Sequence, residues 1–108
     1  READLTGADL RAAQMSDVRL ERANLQGVLL IAAQLERANF YRADLRNADL
    51  RGANLREADL RNANLEGTNF TGADLAGAIL PHNYSGPLLQ AEEKPLPPAL
   101  AATAAMMP

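Results

Sequence analysis

The chain has 108 residues, room for one domain and not comfortably two. It contains no Cys and one His, which excludes disulfides, thiolate metal sites, cysteine nucleophiles and His-rich zinc sites. Lys and Arg number 11 against 14 Asp and Glu, a formal net charge of −3, unlike the strongly basic balance of a dedicated nucleic-acid binder. No apolar run reaches the roughly 18 residues of a membrane-spanning helix. The sequence begins at Arg1 without a signal-peptide pattern, so it is expected to be a processed form or an excerpt.

From the first residues to position 80 one period governs the chain. Every fifth residue from Leu5 to Leu80 is large and apolar, as in Leu20, Leu25, Phe40, Leu45 and Phe70. Two positions before each stands a small residue, Ala in 13 of 16 repeats and never charged. Between the two lies Asp or Asn in 11 repeats, among them Asp4, Asn24, Asp44 and Asp59. A period of five suits neither regular element. On an α-helix, residues five apart lie about 140° apart around the axis, so the leucines would form no stripe. On a flat strand, whose side chains alternate, half of them would face water. A chain that bends once per repeat solves the problem: Ala and Leu point inward together, and the two variable residues turn the corner. Gly occupies the second variable position six times (Gly7, Gly27, Gly52, Gly67, Gly72 and Gly77), where a corner can demand positive φ. The short Asp and Asn side chains suit bonds to nearby backbone in such turns.

The Ala-(Asp/Asn)-Leu-x-x unit resembles the motif of the pentapeptide-repeat family, and the match covers residues 1–80. The resemblance implies an all-β fold, a right-handed quadrilateral parallel β-helix. Each repeat would form one side and each coil would take 20 residues, giving about four coils over 1–80. At the inter-strand spacing that is a solenoid roughly 19 Å long. The narrow bore accounts for Ala at the second inward position, because a larger residue there would overpack it.

The repeat loosens between 13 and 35. Gln14, Arg19, Leu29 and Gln34 replace Asp or Asn, and Gln14 and Gln34, 20 apart, are expected on one side as alternative hydrogen-bonding side chains. In register, Leu29 and Ile31 point outward beside the small Ala12 and Ala32, and they share a side with Asp9, Arg11, Asp49 and Arg51. This aliphatic pair is one candidate contact surface. Farther along, Arg46, Arg51, Arg56 and Arg61 occupy the same slot in successive repeats and so form a belt around four sides. With Asp44, Asp49, Glu57 and Asp59 among them, the belt reads as a solvated, ion-paired surface rather than a nucleic-acid patch. One side gathers Arg19, Arg22, Arg42 and Arg61 beside Tyr41. The Tyr41–Arg42 region is therefore the second candidate contact, with some aptitude for phosphate or acids.

At Pro81 the period breaks, and residues 81–108 hold all six prolines. PHNYSGP reads as loop and EEKPLPP as an extended linker. Residues 99–107 are compatible with a short helix. The tail can fold back over the last coil, with Leu88, Leu89 or Leu100 against Ile79 and Leu80, because solenoid ends need caps, or it can be a flexible linker; the expectation is local docking of 81–90. Disorder is expected beyond about 95.

Catalysis needs converging side chains in a dry cleft. Inward positions here are Leu, Ala, Val, Phe and Met, apart from Thr68, whose hydroxyl is expected to bond nearby backbone. His82 follows the last repeat with no pocket in sight and reads as a surface residue. No phosphate loop, serine elbow or metal-spaced cluster occurs. The expectation is a protein with no catalytic residues, no cofactor and no metal, acting as a rigid interaction module. Its unidentified partner would be a protein, and self-association through the coil ends is a further route. The resemblance also suggests a DNA-mimicking modulator of DNA gyrase or topoisomerase, although a nearly balanced, Arg-belted surface departs from that pattern. A third reading is a spacer within a larger chain. Family members are frequent in bacteria. The compartment is unassigned, with the cytoplasm as the default guess.

Overall fold

A computed structural model describes residues 2–82 and residue 84. The tail expectations for Leu88, Leu89, Leu100 and the 99–107 helix lie outside the described residues.

Parallel bridges join residues 20 apart along the whole repeat region. Four ladders result: Asp4–Asn24–Asp44–Asn64, Asp9–Leu29–Asp49–Asn69, Gln14–Gln34–Asn54–Asp74 and Arg19–Asn39–Asp59–Ile79. A turn separates each ladder from the next, closed in the first repeats by Ala8 N–H donating to Leu5 C=O at 2.9 Å and Ala13 N–H to Leu10 C=O at 3.1 Å. One corner every five residues and one circuit every 20 make the cross-section a quadrilateral.

The repeat can be read as a complete account of its backbone donors. Taking the second coil as example, Asn24 N–H reaches back to Ala3 C=O (2.8 Å), Leu25 N–H forward to Asp44 C=O (2.8 Å) and Gly27 N–H forward to Arg46 C=O (3.0 Å). Val28 N–H closes the turn on Leu25 C=O (3.1 Å). That leaves one donor, the N–H of the first variable residue, and Asn24 Oδ1 accepts it from Gln26 at 3.3 Å. All 11 Asp and Asn residues of the motif do the same, from Asp4 with Thr6 to Asp74 with Ala76. The motif prefers Asp and Asn because only a short acceptor reaches the one donor that no ladder uses. Where the acceptor gives way to Ile79, the residue two positions on is Pro81, which has no N–H to satisfy.

Every corner residue from Gly7 to Gly77 has a left-handed φ between 58° and 74°, six glycines and nine others. The expectation of positive φ at the glycines holds and extends to Ala12, Asp17, Arg22, Ala32, Arg37, Arg42, Asn47, Glu57 and Asn62. For these nine the conformation is costly in isolation, about 1–2 kcal/mol for a side chain with Cβ. At eight of the nine, all but Asn62, the corner residue's own N–H bond to the next coil holds it there, as in Ala12 to Ile31 C=O (2.8 Å).

The inward residues fill the bore. Leu25, Leu30, Leu35, Phe40, Leu45, Leu50, Leu55 and Leu60 are fully buried, and the inward alanines from Ala23 to Ala58 are buried with them. Burial declines toward both ends. Leu5, Leu10 and Met15 are half-buried at one end, Leu75 and Leu80 at the other, because each lacks a neighbour coil on one side among the described residues. Thr68 is buried, and its Oγ1 donates to Leu45 C=O at 2.7 Å, as expected of a lone inward hydroxyl. Just past the last repeat, Pro81 is buried and Tyr84 packs half-buried against the core.

Candidate interaction surface

With the bore packed, polar chemistry is confined to the outer wall, where side chains are set by corner and ladder. The dominant feature is ion pairing across corners. Asp9, Asp44, Asp49 and Asp59 each receive a two-pronged bond from the Arg two residues on, Nε to Oδ1 at 2.8–2.9 Å and Nη2 to Oδ2 at 2.7–2.8 Å. The bonded guanidinium is the main reason these carboxylates sit below their usual pKa, with the Arg N–H adding to it and partial burial opposing. Arg37 makes a similar fork to Asp17 one coil away, at 2.8 and 3.0 Å. Arg56 lies 3.3 Å from Asp74 and 3.8 Å from Glu36, and Arg19 lies 3.7 Å from Glu21. The expected belt is thus an ion-paired surface, and its four arginines are all matched.

The four residues singled out from the sequence fall on two separate surfaces. Leu29 and Ile31 lie on the second ladder's side and are half-buried. The reason is their neighbours. Leu29 is bridged to Asp9 and Asp49, and Arg11 and Arg51 occupy the same slot as Ile31 one coil to each side. The aliphatic pair thus lies in the coil between the Arg11–Asp9 and Arg51–Asp49 ion pairs. Arginine stems cover apolar surface while their heads stay wet. Among the described residues the exposed large hydrophobic is Ile79, 50% accessible, in the last coil.

Tyr41 and Arg42 lie at the corner after the fourth ladder. The guanidiniums of Arg61 and Arg42 stand 5.5 and 5.8 Å from the centre of the Tyr41 ring. Beside the ring opens a concavity of about 650 Å³ lined by Glu2, Arg19, Glu21, Arg22 and Tyr41. Asn39 Nδ2 donates to Glu21 Oε2 at 3.0 Å and fixes one wall. Three of the four residues that the sequence placed on the basic side, Arg22, Arg42 and Arg61, gather with Tyr41 at this corner, and Arg19 lines the concavity. The contribution of Glu2 and Glu21 was not read from the sequence, though both fall in the columns that a count by twenties assigns to this corner. Gln14 and Gln34 do stack on one ladder, but Gln34 Oε1 accepts from Asn54 Nδ2 at 3.2 Å, across coils rather than within its own turn.

The sequence matches the family described as Pentapeptide repeats, 8 copies, over residues 1–27, 19–56 and 53–82. The chain belongs to the pentapeptide-repeat family. Among solved structures it is similar to a pentapeptide repeat protein from the thylakoid lumen of Arabidopsis thaliana, with 35% identity and a TM-score of 0.76, over 82% of this chain and 61% of that one. It is also similar to a pentapeptide repeat protein of Nostoc (37% identity, TM-score 0.59, 84% of this chain and 78% of that one). A third similar structure is the Cyanothece pentapeptide repeat protein Rfr23 (34% identity, TM-score 0.54, 72% and 57%). No curated protein matches the sequence. Pentapeptide-repeat proteins form right-handed quadrilateral β-helices, and this chain shares that architecture. Among the described residues no group of His, Asp and Glu could hold a metal ion, and no helix is long and apolar enough to cross a membrane. His82 is exposed.

Proposed function

We propose that this pentapeptide-repeat rod, four coils over residues 1–80, is a non-catalytic interaction module whose outer wall is recognised by another protein. One observation carries the reading. Among the described residues the inward positions are apolar save Thr68, whose hydroxyl is already bonded, so varied chemistry lies on a wall whose backbone the corners hold fixed. A preordered surface loses little entropy on association. The Tyr41–Arg42 corner is the principal contact, because it combines an aromatic ring with a concavity, and Leu29–Ile31 is the second. The ion-paired wall gives no support to a DNA-mimicking role, since a duplex mimic needs unneutralised carboxylates along its length and most of these have an Arg attached.

Crosslinking of the intact protein in its native cells, followed by recovery of its partners, tests the reading. Tyr41→Ala with Arg42→Glu is expected to abolish recovery of a partner that the wild type yields, and Leu29→Asp with Ile31→Asp to reduce it. Unchanged recovery with both double variants would eliminate these surfaces. Failure of the wild type to crosslink any protein would overturn the module reading itself.

A further inference from the structure

Of the nine arginines among the described residues, seven have a carboxylate within ion-pair distance: Arg11, Arg19, Arg37, Arg46, Arg51, Arg56 and Arg61. The other two, Arg22 and Arg42, occupy the same corner in successive coils. Arg22 N–H bonds Tyr41 C=O at 2.8 Å and Arg42 N–H bonds Arg61 C=O at 3.0 Å, which sets the two backbones one coil apart, about 4.8 Å. Both side chains are exposed at left-handed corners, beside the concavity and the Tyr41 ring. We infer that Arg22 and Arg42 form a binding site for a phosphate dianion, the headgroup of a phosphate monoester.

Stoichiometry selects phosphate over carboxylate. On this rod a carboxylate is satisfied by a single guanidinium fork, as Asp9, Asp44, Asp49 and Asp59 are. Two corners one coil apart present two guanidinium charges and several donors from one column, Arg22 on the concavity and Arg42 beside the Tyr41 ring. A ligand with two charges and three terminal oxygens can bridge both, and planar guanidiniums favour such paired contacts. Among the described residues, Glu2, Arg19 and Glu21 line the concavity with Arg22, and Arg61 stands over the Tyr41 ring with Arg42. Arg61 is matched by Asp59, and Arg19 by Glu21. Glu2 belongs to the Arg22 column one coil out and has no ion pair among the described residues, so it opposes an anion at the outer edge of the site. That opposition gives the inference a prediction of reversed sign.

The probe is inorganic phosphate at pH 7.5, titrated into the whole protein while the arginine Nε–H resonances are followed by NMR, with acetate at equal ionic strength as the carboxylate control. The signals of Arg22 and Arg42 are expected to move and saturate together, while those of Arg46, Arg51 and Arg61 stay still. Arg22→Gln and Arg42→Gln should each weaken binding about tenfold, as loss of one charge-assisted contact implies. Glu2→Gln should tighten it. Phenyl phosphate should bind at least as well as phosphate if an ester is the natural form. Uniform shifts of all arginines, equal response to acetate, or an unchanged titration in the double Gln variant would each overturn the site. Retention of the wild-type methyl spectrum of the buried leucines shows that a variant is folded. The site shares its corner with the protein contact proposed above but not its fate. Phosphate can bind where no partner is recovered, and a partner can dock where phosphate fails.

Discussion

A single residue in this rod is governed by where its corner puts it. The left-handed corners show the cost most directly. Gly27 and Ala32 occupy equivalent corners, with φ of 67° and 60°, and a Cβ added at Gly27 would meet nothing within 4 Å. Steric contact is therefore absent from the comparison, and only backbone preference remains. Gly27→Ala should destabilise by about 1 kcal/mol, and Ala32→Gly should stabilise by roughly 0.5–1 kcal/mol, although glycine ordinarily weakens a fold. Urea denaturation of both variants checks the pair, and a loss of stability in Ala32→Gly would contradict the strain account. Nothing in the residue types Ala, Arg or Glu announces a left-handed φ. The glycines revealed six corners, and the other nine became visible only in the structure, where inter-coil bonds hold all of them but Asn62.

The five-residue repeat is the element, and its second conserved-looking slot within the chain has a defined task. Asp49 Oδ1 accepts Arg51 N–H at 3.2 Å while its two oxygens hold the Arg51 guanidinium. Asp49→Asn keeps the backbone acceptor and loses only an exposed ion pair, so its effect should be small. Asp49→Ala leaves Arg51 N–H without its partner and should cost about 1 kcal/mol more than Asn, read from the same urea midpoints. Equal stability of the two variants would show that the turn bond contributes nothing. At this scale the sequence was highly legible. A period of five admits one kind of backbone, and Leu25, Leu45 and Ala48 lie where that period sends them. The candidate surface was less legible. The count by twenties put Arg11 and Arg51 next to Ile31, yet the half-burial of Leu29 and Ile31 depends on where long side chains lie, which no spacing states. The Asp-Leu-Arg pairing was available in the sequence as a two-residue step and was read only as charges in a neighbourhood.

For the molecule as a whole, the ion-paired wall couples stability to acid. Asp4, Asp9, Asp17, Asp44, Asp49 and Asp59 are all held below the usual carboxylate pKa, by hydrogen bonds to Thr6 or to arginines. A carboxylate with a depressed folded pKa binds protons more readily when unfolded. Its stabilisation is present above the unfolded value, about pH 4, and is lost as pH falls through the lower folded value. The urea midpoint should therefore hold nearly constant from pH 8 to 5 and decline below about 4. A midpoint that does not change between pH 5 and 3 would mean that the pairs do not discriminate folded from unfolded chain.

Because each coil bonds only to the one before and the one after, twenty residues are a unit of length and five are a unit of rotation. Excising Arg46–Leu50, one whole repeat, would keep every inward leucine and alanine facing the bore. It would also swing everything downstream by a quarter turn, parting Arg61 from Tyr41 as cleanly as a slipped tooth on a ratchet. Faces can thus be re-aimed along the axis by small insertions or deletions while the interior is left as it was.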